Sequence, residues 1–187
     1  EFTYTGEQNS FVKDYVAALK KANISVGVIT NHNKFDIDEY KAIRKAAKKQ
    51  DIFILPGVEL TIKEGANGIH TLIVFNPGEW LENGSNHIQT AAFATISNPE
   101  NRNVKSIYDL KKVFEQLEAY GRDYFVVFAH VDQNSGIFSE CKGGLLESLA
   151  GLASFKNRVL GLQKSRSRDN LNQFERCFGF LPALVEG

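Results

Sequence analysis

The 187-residue chain balances 22 Lys+Arg against 22 Asp+Glu, with 43% hydrophobic and 24% charged residues. That is the composition of an ordinary soluble globular protein, and its zero net charge excludes a global field steering it toward nucleic acid or an anionic membrane. No apolar run approaches the roughly 20 residues of a membrane-spanning helix, and Cys141 and Cys177, far apart and in no CxxC pattern, read as reduced thiols of a cytoplasmic protein.

The length fits one domain over 1–187, with enough residues to bury a substantial core. No methionine is present, which predicts a fragment or a processed form. Residues 10–22 place Phe11, Tyr15, Val16 and Leu19 on one helical face, and the β-branched run ISVGVIT at 24–30 reads as a buried strand. A helix over 36–50 follows, with Asp36 or Asp38 as N-cap and the basic tail KAAKKQ at its C-terminal end. IFIL at 52–55, a Pro56-Gly57 turn and VELTI at 58–62 come next. EGANG at 64–68 then reads as a hairpin turn and HTLIVF at 70–75 as the returning strand.

Residues 78–104 form a polar excursion with room for at most a short helix. SIYDLKKVFEQLEAY at 106–120 is an amphipathic helix with Ser106 as candidate N-cap. Strand FVVFAH at 125–130, a helix near 143–154, strand RVLGL at 158–162 and a helix from about Asp169 to Cys177 complete the alternation. LPALVEG opens a further strand. Strand–helix alternation of this kind predicts a mostly parallel sheet with helices outside it, less regular than an ideal barrel because of the hairpin at 58–75.

In such folds chemistry collects at the carboxyl ends of the strands. His32 lies just past ISVGVIT, Glu59 lies between Val58 and Leu60, and His130 closes FVVFAH. His70 opens its strand, but the hairpin reverses direction and returns it to the same rim. Singly, each has a structural reading: a satisfied histidine at a strand end, or a glutamate paired with a lysine. Together they are the imidazole and carboxylate donors of a Zn, Mn or Fe site, because a carboxylate in an apolar run is costly without a cation. His87, in the polar excursion, reads as a surface residue.

The motifs Thr30-Asn31-His32-Asn33, Gly57-Val58-Glu59, Ile69-His70 and Ala129-His130-Val131 occur in that order along the chain. In this the sequence resembles the PHP (polymerase and histidinol phosphatase) family of metal-dependent phosphoesterases. It is most similar to the PHP domains N-terminal to large AAA- or SMC-like ATPases, an impression to which LASFKNRVLGLQKSRSRDNLNQF contributes. The resemblance implies a distorted, TIM-like (β/α)7 barrel with two or three divalent metal ions, zinc, manganese or iron. It implies Glu59 as the bridge between two metals, His70 and His130 on the second metal, and His32 on a third, with Glu59 and His130 also carrying the catalysis. The implied reaction is hydrolysis of a phosphate ester, nucleic acid or a small phosphomonoester, by a metal-activated water. The implied partner is a C-terminal ATPase module.

Two departures stand out. Asn31 replaces the family's Asp, so it can orient His32 as an outer residue but brings no charge. Val131 replaces Pro. The family's opening His-x-His and closing Asp-x-His are absent between Glu1 and Gly187, which predicts a truncated chain; the alternative is a catalytically degenerate module serving a structural or interaction role. Lys164, Arg166 and Arg168 follow strand RVLGL, and Lys164 and Arg166 are candidates to hold a substrate phosphate, against the plainer reading of a solvated loop. Asp132 reads as an outer acid or a turn cap.

Overall fold

The computed structural model describes residues 10–96, 104–142 and 144–186. Its core is one six-stranded sheet in the order β1 (Val26–His32), β2 (Phe53–Ile62), β3 (Ile69–Phe75), β4 (Tyr124–Phe128), β5 (Val159–Gln163), β6 (Ala183–Val185). β1/β2, β4/β5 and β5/β6 pair parallel, while β3 is antiparallel to both neighbours. A single reversed strand thus sits in an otherwise parallel sheet, which curls into a half-barrel.

Apolar residues alternate along the strands because successive side chains point to opposite faces. Ile29, Ile54, Val58, Leu60, Ile73, Val126 and Phe128 are buried on one face. Against that side pack Tyr40, Ile43 and Ala47 of α2 (Ile37–Lys48) and Val113, Phe114 and Leu117 of α5 (Leu110–Ala119). Phe155 of α8 (Ala153–Arg158) stacks on Phe114, Phe128 and Phe178, the last from α9 (Arg168–Phe178). Val28, Leu55, Leu72 and Val127 lie on the opposite face and are only half-buried.

The elements follow the sequence with instructive differences. α1 (Phe11–Lys21) and α2 are helices at the expected places, and the Asp36 carboxylate caps α2 by accepting from Asp38 N and Glu39 N. Pro56-Gly57 is not a turn: β2 runs straight through it. Pro56 precedes the first β2–β3 pair, Gly57 with Val74, so its missing N–H costs that ladder nothing. Gly57 is needed because a β-carbon there would lie 2.8 Å from Val28 Cγ1 and 3.0 Å from the Ile73 carbonyl oxygen.

Ser106 is not the cap of α5 either. Asp109 caps it, accepting from Lys112 N at 2.8 Å, while the Ser106 hydroxyl accepts from Lys63 N at 2.8 Å and so ties this segment to the hairpin. The excursion is more ordered than its composition predicts, holding α3 (Pro77–Trp80), a 3-10 turn at Glu82–Gly84 and α4 (His87–Thr95). α4 forms because Ile88, Ala91, Ala92 and Thr95 recur at helical spacing and are all buried. Residues 97–103 of the excursion lie outside the described residues. Near 143–154 two short helices, α7 (Leu145–Leu149) and α8, replace one, and α6 (Ile137–Glu140) follows the strand β4 loop. Both cysteines are free thiols, and no helix among the described residues is long and apolar enough to cross a membrane.

Candidate metal centre

Sheet topology decides which polar side chains meet. His32 ends β1 and stands in register with Glu59 of β2, and His70 near the start of β3 pairs with Thr61. Because β3 is the reversed strand, its beginning lies at the rim where β1, β2 and β4 end. His130 follows β4 by two residues, where Ala129 N donates to the His70 carbonyl at 3.0 Å.

The side chains converge accordingly. Glu59 Oε1 lies 3.1 Å from His70 Nδ1 and 3.9 Å from His32 Nδ1. His70 Nδ1 in turn lies 3.0 Å from His130 Nε2. One donor atom from each of Glu59, His70 and His130 falls within 4.8 Å of the others, a spacing suited to holding a metal ion. His32 flanks this trio; its ring centroid is 5.0 Å from that of His70, and its Nε2 is 2.9 Å from Thr61 Oγ1.

Burial raises the Glu59 pKa, but the His70 hydrogen bond and the electrostatic influence of the neighbouring imidazoles outweigh it and hold the carboxyl below the usual range. Burial, and then charge on His70, push His130 below an ordinary imidazole. The site therefore favours an ionised carboxylate beside a neutral imidazole, the protonation states that ligate metals. This donor set fits a divalent cation. Glu59 Oε1, His70 Nδ1 and His130 Nε2 follow one another at 3.1 and 3.0 Å, and the single proton His70 Nδ1 can carry cannot fully satisfy both neighbours.

The other polar residues singled out in the sequence have these surroundings. Asn31 donates its amide to Glu39 Oε1 of α2 at 2.8 Å. Lys164 follows β5 directly, in the left-handed region (φ +54°), and its charge is felt at His130. Arg166 is exposed, and its backbone N–H donates to Asp132. Asp132 acts as a cap: it also accepts from Ser167 N at 2.8 Å and from Asn170 Nδ2 at 2.7 Å, which fixes the start of α9. His87 lies in α4, beside Arg122 at 3.3 Å, away from the rim residues.

Sequence reasoning missed Asn33. It is fully buried, sits at φ +56°, donates its N–H to the Glu59 carbonyl at 2.7 Å, and accepts from Thr61 N at 3.0 Å. Its signal was legible: Asn tolerates the left-handed region and stands where β1 must leave the sheet.

No protein-family model and no curated protein matches the sequence. Among solved structures, the chain is similar to PsfC from Pseudomonas syringae (TM-score 0.52, 14% identity), covering 94% of this chain but only 65% of that one. It is also similar to a "putative metal-dependent phosphoesterase" from Bifidobacterium adolescentis (TM-score 0.55, 11% identity), covering 94% of this chain and 80% of that one. At these identities the likeness is one of fold.

Proposed function

We propose that this chain is a metal-dependent phosphoesterase domain that hydrolyses a phosphate ester. The observation carrying the reading is the convergence of Glu59, His70 and His130 at the strand-end rim. The fold likeness to the Bifidobacterium protein and the order of the four sequence motifs support it.

In this reading Glu59, His70 and His130 would hold a divalent cation, and His32 stands at the edge of the set. The chemistry such a cation supplies is Lewis-acid activation of water and of a phosphoryl oxygen. Glu59 brings the negative charge that concentrates cations at the rim, and His130 presents a neutral Nε2 toward His70. Thr61 keeps the His32 ring from swinging away. Lys164, just after the neighbouring strand β5, would hold phosphate oxygens as a point charge, with Arg166 of the same loop as a second candidate. Esters of either nucleic acid or small alcohols suit this arrangement.

The test is release of p-nitrophenol from bis(p-nitrophenyl) phosphate and from p-nitrophenyl phosphate, with added Mn²⁺ or Zn²⁺, beside Glu59→Ala. Metal-dependent turnover that disappears in Glu59→Ala is expected. Turnover unchanged by the substitution overturns the reading.

A further inference from the structure

His130 leaves β4 with a backbone that its residue type does not favour. Its φ is +30°, outside the regions comfortable for a side chain bearing a β-carbon. Such a conformation persists only where the surroundings over-determine it, and strained backbone of this kind clusters at functional sites.

The surroundings here are specific. The His130 N–H donates to the side-chain Oε1 of Gln163 at 3.2 Å, and the next amide, Val131 N, donates to the main-chain oxygen of the same Gln163 at 3.0 Å. From the other side, Gln133 N donates to the His130 carbonyl at 2.8 Å. Gly136 closes the loop so tightly that a β-carbon on it would lie 2.5 Å from the His130 oxygen and 2.4 Å from the Val131 oxygen. The last residue of β5 thus grips two consecutive amides, one with its side chain and one with its backbone.

We propose that Gln163 is a positioning residue for the metal centre: its side-chain oxygen holds the His130 amide, and through it the direction of the imidazole toward His70 and Glu59. The proposal rests on the reading of His130 as a metal-binding residue. Among the described residues no other acceptor is in place for the His130 N–H, so loss of the Gln163 acceptor would let the strained φ relax. The imidazole then turns from a donor set in which its Nε2 sits 3.0 Å from His70 Nδ1. Outer partners that orient a metal-binding histidine typically matter by about 10–100-fold in affinity.

The experiment compares the wild-type chain with Gln163→Leu, which keeps bulk but removes the acceptor, and Gln163→Glu, which keeps an acceptor at the same reach. Co²⁺ is the probe, followed by its visible absorption. Gln163→Leu is expected to weaken Co²⁺ binding about 10–100-fold, and Gln163→Glu to restore it to at least the wild-type range. Exchange of the His130 backbone amide is measured in the metal-free proteins, and is expected to quicken in Gln163→Leu while amides of β1 and β2 keep their protection. Should Gln163→Leu fail to fold, Gln163→Asn, one carbon too short to reach, carries the same expectations. Wild-type affinity together with wild-type protection of the His130 amide in these variants overturns the proposal. A wild-type chain that binds no Co²⁺ overturns the metal reading instead, and amide exchange then decides the positioning role by itself.

Discussion

Glu59 Oε1 lies 3.1 Å from His70 Nδ1 although the residue paired with His70 across the β2/β3 ladder is Thr61. The contact is diagonal: residues 59 and 61 share a face of β2, and the reversed β3 leans its imidazole back along that face. Replacing Glu59 with Gln keeps the shape but removes the charge that draws a cation to the two imidazoles. Isothermal titration with Mn²⁺ or Zn²⁺ is expected to show a large loss of affinity in Glu59→Gln with the fold intact by circular dichroism. Undiminished affinity rules Glu59 out of the donor set.

The pH dependence of metal binding follows from the same trio. The His70 hydrogen bond and the neighbouring imidazoles hold Glu59 below the usual carboxylate range despite burial, and burial pushes His130 below an ordinary imidazole. Both shifts keep these two side chains in their metal-binding protonation states at lower pH than free side chains would be. Affinity is expected to hold down to the ordinary imidazole range and to weaken below it, as His130 takes up the proton that the metal must displace. Titrations in steps from pH 8 to pH 5 check this; a steady loss beginning near pH 8 contradicts it.

Gly136→Ala probes the loop rather than the donors. The added methyl would lie 2.4–2.6 Å from the Val131 oxygen, the His130 oxygen and the Val131 carbonyl carbon, and all three are main-chain atoms that cannot swing aside. A stability loss of about 1–3 kcal/mol is expected from such overpacking, read by urea unfolding. A weakened response to added metal should accompany it, because the His130 backbone must move. An unchanged unfolding midpoint shows that the loop is looser than its geometry.

What could be read from the sequence was whatever local pattern dictates. The rim position of His32 and Glu59 follows from strand periodicity, and that of His70 from the hairpin, since EGANG reverses the chain through Gly65 (φ +56°) and Gly68 (φ +81°). The failures share one physical cause: tertiary partners outvoted local signals. Pro56-Gly57 carries a turn signature, yet its neighbours are two strands, and Gly57 serves their close approach. Ser106 looks like a cap, yet its hydroxyl is spent on Lys63 N of the hairpin. The role of Gln163 is invisible before folding, because nothing local links it to His130, 33 residues away.

Glu140 offers a test of the fold independent of any metal. It is a carboxylate only 7% exposed, at the end of α6, and it accepts from Asn67 N at 3.0 Å, Asn67 Nδ2 at 2.8 Å and Ser135 N at 3.4 Å. It thereby clamps the β2–β3 hairpin tip to the loop that carries His130, and Ser135 in turn accepts the His70 N–H at 2.9 Å. Burial raises its pKa, but these hydrogen bonds outweigh burial and hold the carboxyl below the usual range. A depressed native pKa means that the unfolded chain takes up the proton first, so the contribution is complete above the unfolded value and fades as pH falls through the native one. Glu140→Gln is expected to cost about 1–3 kcal/mol at neutral pH. The gap between wild type and variant should be flat above about pH 5 and close progressively below about pH 4. Urea unfolding of both proteins across that range measures it, and a gap that widens on acidification shows that the Glu140 carboxylate is not what secures the hairpin.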